Sequence, residues 1–152
     1  VRAGVIKACI NRNYEKEEMK VALDKGNVEP AYLCGRLFAV LERLQQEASN
    51  NSLNRTIKDA YFASASAKPA LVFPKLIRLA QNHLNKVKYP SYYNRMIGEI
   101  LNPMRGEFPE NLLLKDQGKF IIGYYQQYQS FFEKKEKTQE TEEMKDGAGE
   151  QV

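Results

Sequence analysis

The chain has no tryptophan, one histidine (His83) and two cysteines (Cys9 and Cys34) in 152 residues. Each shortage excludes something. Two cysteines without a CxxC pair make neither a disulfide framework nor a zinc ribbon, and they fit a reducing compartment; we expect a cytoplasmic protein. A single histidine rules out HExxH and paired-histidine metal sites. No Asp/Glu cluster suggests a two-metal nuclease, and GxxxxGK, GxGxxG and Gly-x-Ser-x-Gly are all missing. No apolar run approaches the roughly 20 residues that span a bilayer, and the start has no sustained apolar stretch of the kind a signal peptide needs. Sequence therefore predicts no catalytic residues, no metal, no cofactor and no membrane association.

One shortage is local. From Ala60 to Gly98 there is no acidic residue, while Lys68, Lys75, Arg78, Lys86, Lys88 and Arg95 all fall there. The net charge of +4 hides a further division. Residues 133–152 carry seven acids and four lysines, so the preceding 132 residues hold a net charge of +7. A basic body with an acidic tail fits a polyanionic partner or simply a basic, solvated protein.

What is present is helical. Residues 1–24 form a helical candidate in two pieces, broken near Asn11–Tyr14 and stopped at Lys25-Gly26-Asn27. Asn27 and Pro30 suit the start of a strong helix over 30–48. Its apolar positions Leu33, Leu37, Val40, Leu41, Leu44 and Ala48 share one face, and S-N-N-S at 49–52 ends it. A short helix within 54–67 closes in a small-residue turn, A-S-A-S-A. A second strong helix follows from about 70 to 87, with Pro74 early inside it and Phe73, Leu76, Ile77, Ala80, Leu84 and Val87 on its apolar face. Tyr89-Pro90-Ser91 breaks the chain before a shorter helix at about 92–101. Asn102-Pro103 and Phe108-Pro109 bracket a loop, and a last helix spans about 115–132. The Glu/Lys/Thr/Gln-rich remainder, 133–152, reads as a disordered tail. No stretch alternates like a strand. The expected fold is all-α: a compact bundle of about five to six helices over 1–132.

At 100° per residue, Lys75, Arg78, Asn82 and Lys86 fall within an arc of about 80° on the 70–87 helix, roughly opposite Ile77 and Leu84. Such a helix buries one side and offers a cationic ridge on the other, which suits a phosphate backbone. Lys68 and Lys88 flank it. Arg36 and Arg43 share a flank of the 30–48 helix, with Arg55 and Lys58 beside the following loop, and these four either extend the basic surface or serve locally. Arg43, for instance, is placed to pair with Glu47 one turn on. On the last helix, Phe120, Tyr124, Tyr125, Tyr128, Phe131 and Phe132 fit packing better than base stacking. Gly118 and Gly123 leave room for another helix. His83 reads as a packing or surface residue.

Three segments carry a resemblance: A-Y-L-C-G-R-L-F-A-V-L-E (31–42), Y-F-A-S-A-S-A-K-P-A-L-V-F-P-K-L (61–76) and L-K-D-Q-G-K-F-I-I-G-Y-Y-Q-Q (114–127). Over about 29–132 the chain resembles the C-terminal helical region of the large subunit of the type I-C CRISPR Cascade. In that family the region is also translated separately as a small subunit from an internal start codon. A Val1 start fits such a product, as it fits a fragment or a trimmed chain. The resemblance implies a non-catalytic bundle in a crRNA-containing Cascade. Its partners would be the backbone and large subunits, another copy of itself, and single-stranded target or non-target DNA of the R-loop. The chain departs from the family pattern at Ala60, where a basic residue follows the Asp of D-x-Y-F, and at Gln126, where His is frequent. The basic residues named above rest on charge and helical phase, not on a family site.

Overall fold

A computed structural model describes the backbone of residues 22–147, with side chains through 133. The helical candidate within 1–24, Cys9 included, lies almost wholly outside the described residues. Five helices follow in order: α1 (Pro30–Ala48), α2 (Ile57–Ala67), α3 (Pro69–Leu84), α4 (Pro90–Met104) and α5 (Leu114–Gly147). Among the described residues there is no strand, and no helix is long and apolar enough to cross a membrane.

The centre is α1. The one-sided face expected for it is too small: every residue from Ala31 to Glu42 is buried, because α2, α3, α4 and α5 all pack around this helix. A helix buried on all sides needs small residues where neighbours come closest. Gly35 supplies one. A β-carbon there would lie 2.8 Å from both the Phe120 carbonyl carbon and the Tyr124 amide nitrogen of α5. Gly123 does the same from the other side, where a β-carbon would sit 3.1 Å from the Tyr32 carbonyl carbon. Gly123 thus belongs to the interior crossing, whereas nothing lies within 4 Å of a β-carbon built on Gly118.

Phe38 of α1 anchors the core. Rings from three other helices meet it edge-on: Phe62 at 5.5 Å, Phe73 at 6.4 Å, Phe120 at 6.0 Å and Tyr124 at 5.9 Å between centroids. Such edge-to-face pairs each add about 0.5–1.5 kcal/mol beyond the area they bury. Phe108, from the loop after α4, stacks on Phe73 at 5.0 Å. The same loop is tied down where Ala70 donates to Pro109 and Leu112 to Ala67 through backbone bonds. Cys34 is fully buried, and burial pushes its thiol up to about 12, which favours the protonated form.

Several boundaries shift for physical reasons. Glu29, not Asn27, is the N-cap of α1; Asn27 instead accepts from the Glu29 amide through its side chain, as an Asx turn does. The A-S-A-S-A run continues α2 rather than turning. The break comes at Lys68, held at φ −134° and ψ 72° by the following proline. Thr56 and Asp59 close the front of α2 as a reciprocal capping box. Helix α4 begins at Pro90 and runs through Pro103 to Met104, ending at Arg105 with φ 55°. The α5 backbone continues past Phe132 to Gly147.

Two buried or half-buried acids accept tyrosine hydroxyls: Glu42 from Tyr124 and Glu47 from Tyr93. Burial raises the Glu42 carboxyl, while the Tyr124 bond and the nearby Lys58 pull it down less strongly. A folded chain that holds this proton longer than the unfolded chain is stabilised at acidic pH, and that contribution is lost as pH rises through the raised pKa. The melting temperature should therefore fall over the interval just above the ordinary glutamate range, and Glu42→Gln should remove that step. Superimposable pH profiles of Tm for the two proteins would show that Glu42 is not its source.

Candidate nucleic-acid interface

The ridge is built by α3. Its buried side is Val72, Phe73, Leu76 and Ala80, which fixes the opposite side toward solvent. Lys68, Lys75, Arg78 and Asn82 are all exposed there. Arg78 donates through Nε to the Pro74 carbonyl at 3.4 Å, and the Lys75 ammonium sits 5.8 Å from the Tyr61 ring centroid. Lys86 and Lys88 are exposed too, but α3 ends at Leu84, so they extend the ridge from the following turn instead of completing a helical arc. The Lys86 amide donates to the His83 carbonyl in that turn.

Among the described residues, the ion pairs are those of Lys119 with Glu29 and with Asp116. Among the described residues, none of the ridge cations is within ion-pair distance of a carboxylate. Exposed Leu71, at 71% accessibility, and Leu79, at 37%, lie between them, so the surface alternates charge and apolar groups. Next to it, Arg55, Ala60, Tyr61 and Leu79 line a shallow groove between α2 and α3. Arg55 thereby joins the ridge across that groove.

Three of the predicted cations lie elsewhere. Lys58 is half-buried, with its ammonium 5.0 Å from the Tyr124 ring centroid, 5.3 Å from Tyr125 and 5.8 Å from Phe62; it faces an aromatic wall on the α5 side. Arg43 is half-buried at the α1–α4 edge, where its charge acts on Tyr92 and Tyr93, and its expected partner Glu47 is engaged by Tyr93 instead. Arg36 is only 6% exposed, and its Nε donates to Gln127 Oε1 at 3.0 Å. It does not belong to the α3 surface, because the all-round packing of α1 encloses it.

Arg36 opens instead onto a cleft between α4 and α5, shared with Lys25, Tyr92, Arg95 and Glu99. Nothing in the sequence ties Arg95 or Lys25 to Arg36: Arg95 is simply one cation of the acid-free stretch, and Lys25 belongs to the helix stop before Pro30. Their convergence depends on α4 packing chiefly on α1, a tertiary feature with no local signal. The aromatic helix is divided: Phe120, Tyr124 and Phe131 are in the core, whereas Tyr125 and Phe132 are exposed. His83 is half-buried, and burial, reinforced by Lys86, lowers its pKa. Among the described residues, no three His, Cys, Asp or Glu side chains come together as metal ligands.

No curated protein matches the chain. Comparison with known families matches residues 1–132 to a family of CRISPR-associated proteins. That match takes in every helix core, the ridge and both clefts described above. The chain belongs to the CRISPR-associated protein family Cas_Csd1.

Proposed function

We propose that this chain is a non-catalytic small subunit of a type I-C Cascade that holds single-stranded DNA of the R-loop along α3. The family match supports a Cascade-type CRISPR protein. The observation that carries the rest is the exposed row Lys68, Lys75, Arg78, Asn82, Lys86 and Lys88, unpaired with carboxylates among the described residues. Phosphates would take the place of the missing carboxylates, and the exposed leucines between the cations would meet bases or sugars. The strand could be target or non-target DNA, held within a crRNA-containing assembly of backbone and large subunits. No chemistry is assigned to the chain itself.

The test is a salt titration of the full chain with a short oligothymidylate. Five cations each neutralising one phosphate give a log–log slope of about −3.5, at roughly 0.7 per single-strand contact. Affinity should be independent of sequence. A flat salt response would remove the phosphate contacts from this reading.

A second reading, a helical adaptor that touches only protein, is favoured by a specific surface. Leu114, Ile121, Tyr125 and Phe132 are exposed along one side of α5, with Gly118 open among them. Apolar rows of this kind mark protein contacts. The two readings coexist in a subunit that bridges neighbours, another copy included, while contacting DNA. Photoactive DNA in the assembled complex separates them: adducts on α3 require the nucleic-acid role, and a complete lack of adducts on this chain leaves only the adaptor.

A further inference from the structure

Arg36 is a buried cation without a contact ion pair among the described residues. It is 6% exposed, its Nε is held by Gln127, and no carboxylate lies within ion-pair distance among the described residues. Burial lowers the Arg36 pKa, and the carboxylates that act on its charge, Glu99 and Asp24, do so from beyond ion-pair distance, so its setting leaves room for a closer anion that arrives from outside. The held Nε matters here. Gln127 is itself fixed, since its Nε2 donates to Ser130 Oγ at 3.2 Å and Ser130 donates back to the Gln127 carbonyl. The guanidinium is thereby oriented by the protein before any ligand enters.

The cleft that Arg36 lines has a volume of about 270 Å³. Lys25 and Arg95 add two cations at its rim, against one acid, Glu99. Tyr92 and Phe131 supply aromatic walls. A second, more open hollow adjoins it through Tyr92 and Arg95 and is completed by Tyr89 and Ser91. Tyr89 is 60% exposed, and the Lys88 ammonium lies 5.3 Å from its ring centroid. Lys88 is also the last cation of the α3 ridge. Charge and aromatic surface therefore continue from α3 through Lys88 and Tyr89 into the α4–α5 cleft.

We propose that this cleft is a nucleotide site at the end of the ridge, in which Arg36, Arg95 and Lys25 take a backbone phosphate and Tyr89 or Tyr92 stacks on the adjoining base. The inference rests on the reading of α3 as a phosphate-binding surface and extends it. Alternating cations and rings suit a single strand, whose bases are free to stack, and not a duplex, whose bases are already paired. A carboxylate-bearing peptide would use the same arginine but would leave the exposed tyrosine ring without a role.

The experiment compares oligothymidylate with an abasic strand of equal phosphate number, using the full chain and two surface variants, Tyr89→Ala and Arg95→Gln. Both residues are exposed, so the fold is retained. Wild type should prefer the base-bearing strand, and Tyr89→Ala should reduce that preference about fivefold or more, the weight of one stacked base. Arg95→Gln should weaken both strands several-fold and lower the salt slope by about 0.7, one single-strand contact. A strand carrying 5-iodouracil should crosslink to Tyr89 or Tyr92. If both strands bind equally, both variants bind as wild type does and no tyrosine adduct forms, the cleft inference fails while the ridge stands. If neither strand binds the wild type at low salt, both fail. Polyglutamate binding that is lost in Arg95→Gln, with oligothymidylate binding untouched, would overturn the nucleotide in favour of an acidic peptide.

Discussion

Gly35→Ala should destabilise the bundle by about 3 kcal/mol or more, and urea unfolding of the purified chain should show it as a large drop in midpoint at unchanged slope. One methyl group has this effect because of what it meets. The added carbon would fall within 2.8 Å of backbone atoms at both Phe120 and Tyr124, and backbone cannot swing aside as a side-chain tip can. Relief requires α1 and α5 to separate, and their contact is the most extensive in the fold. Separation would also pull Phe120 and Tyr124 away from Phe38 and loosen the Tyr32 hydroxyl's bond to Gln126. Gly118→Ala is the internal control. It lies on the same α5 helix with nothing within 4 Å, so alanine there should be neutral or gain up to about 1 kcal/mol of helix propensity. Equal costs at the two positions would mean that the close α1–α5 crossing is wrong.

That crossing also shows what the sequence could and could not tell. Spacing of three and four found the strongest face of α1, but a helix enclosed on all sides has a second face, written here in small residues. Ala31, Cys34, Gly35 and Ala39 are all buried. Small residues carry little hydrophobic weight, so a periodicity search passes over them although they set how closely α5 can approach. The end of α2 is hidden from the sequence for a related reason. Alanine and serine continue a helix until something stops it, and here the stop is Pro69 acting on Lys68. The acid-free stretch at 60–98 needs no tertiary information, and Lys75 and Arg78 are exposed as their phase against Val72, Phe73, Leu76 and Ala80 requires, whereas Lys86 and Lys88 are exposed in the turn beyond the helix. Arg36 was not readable in this way. Its distance from the ridge follows from the burial of α1, and its cleft from the arrangement of α4 and α5, neither of which has a signature along the chain.

Reversing three ridge charges together, Lys75→Glu, Arg78→Glu and Lys86→Glu, should weaken oligothymidylate binding by about a hundredfold at low salt, or roughly 2.8 kcal/mol. The loss should be similar on every sequence, because phosphate contacts carry no base information. The salt dependence should also flatten by about 2 in log–log slope, three single-strand contacts at roughly 0.7 each. Stability should change little. All three residues are exposed and outside any ion pair among the described residues, and what they lose is one bond to the Pro74 carbonyl and one loose approach to Tyr61. An unchanged melting curve with lost binding therefore separates a failed interface from a failed fold. Lys119→Glu provides the matching control: it breaks the pairs with Glu29 at 2.8 Å and Asp116 at 3.7 Å and alters net charge by the same amount per residue, but it does so on α5 and not on α3. If that single reversal weakened binding as much per charge as the ridge triple, the effect would be one of overall charge, and α3 would have no special claim on the strand. If the triple variant bound with wild-type affinity and slope while remaining folded, DNA would not lie along α3 at all.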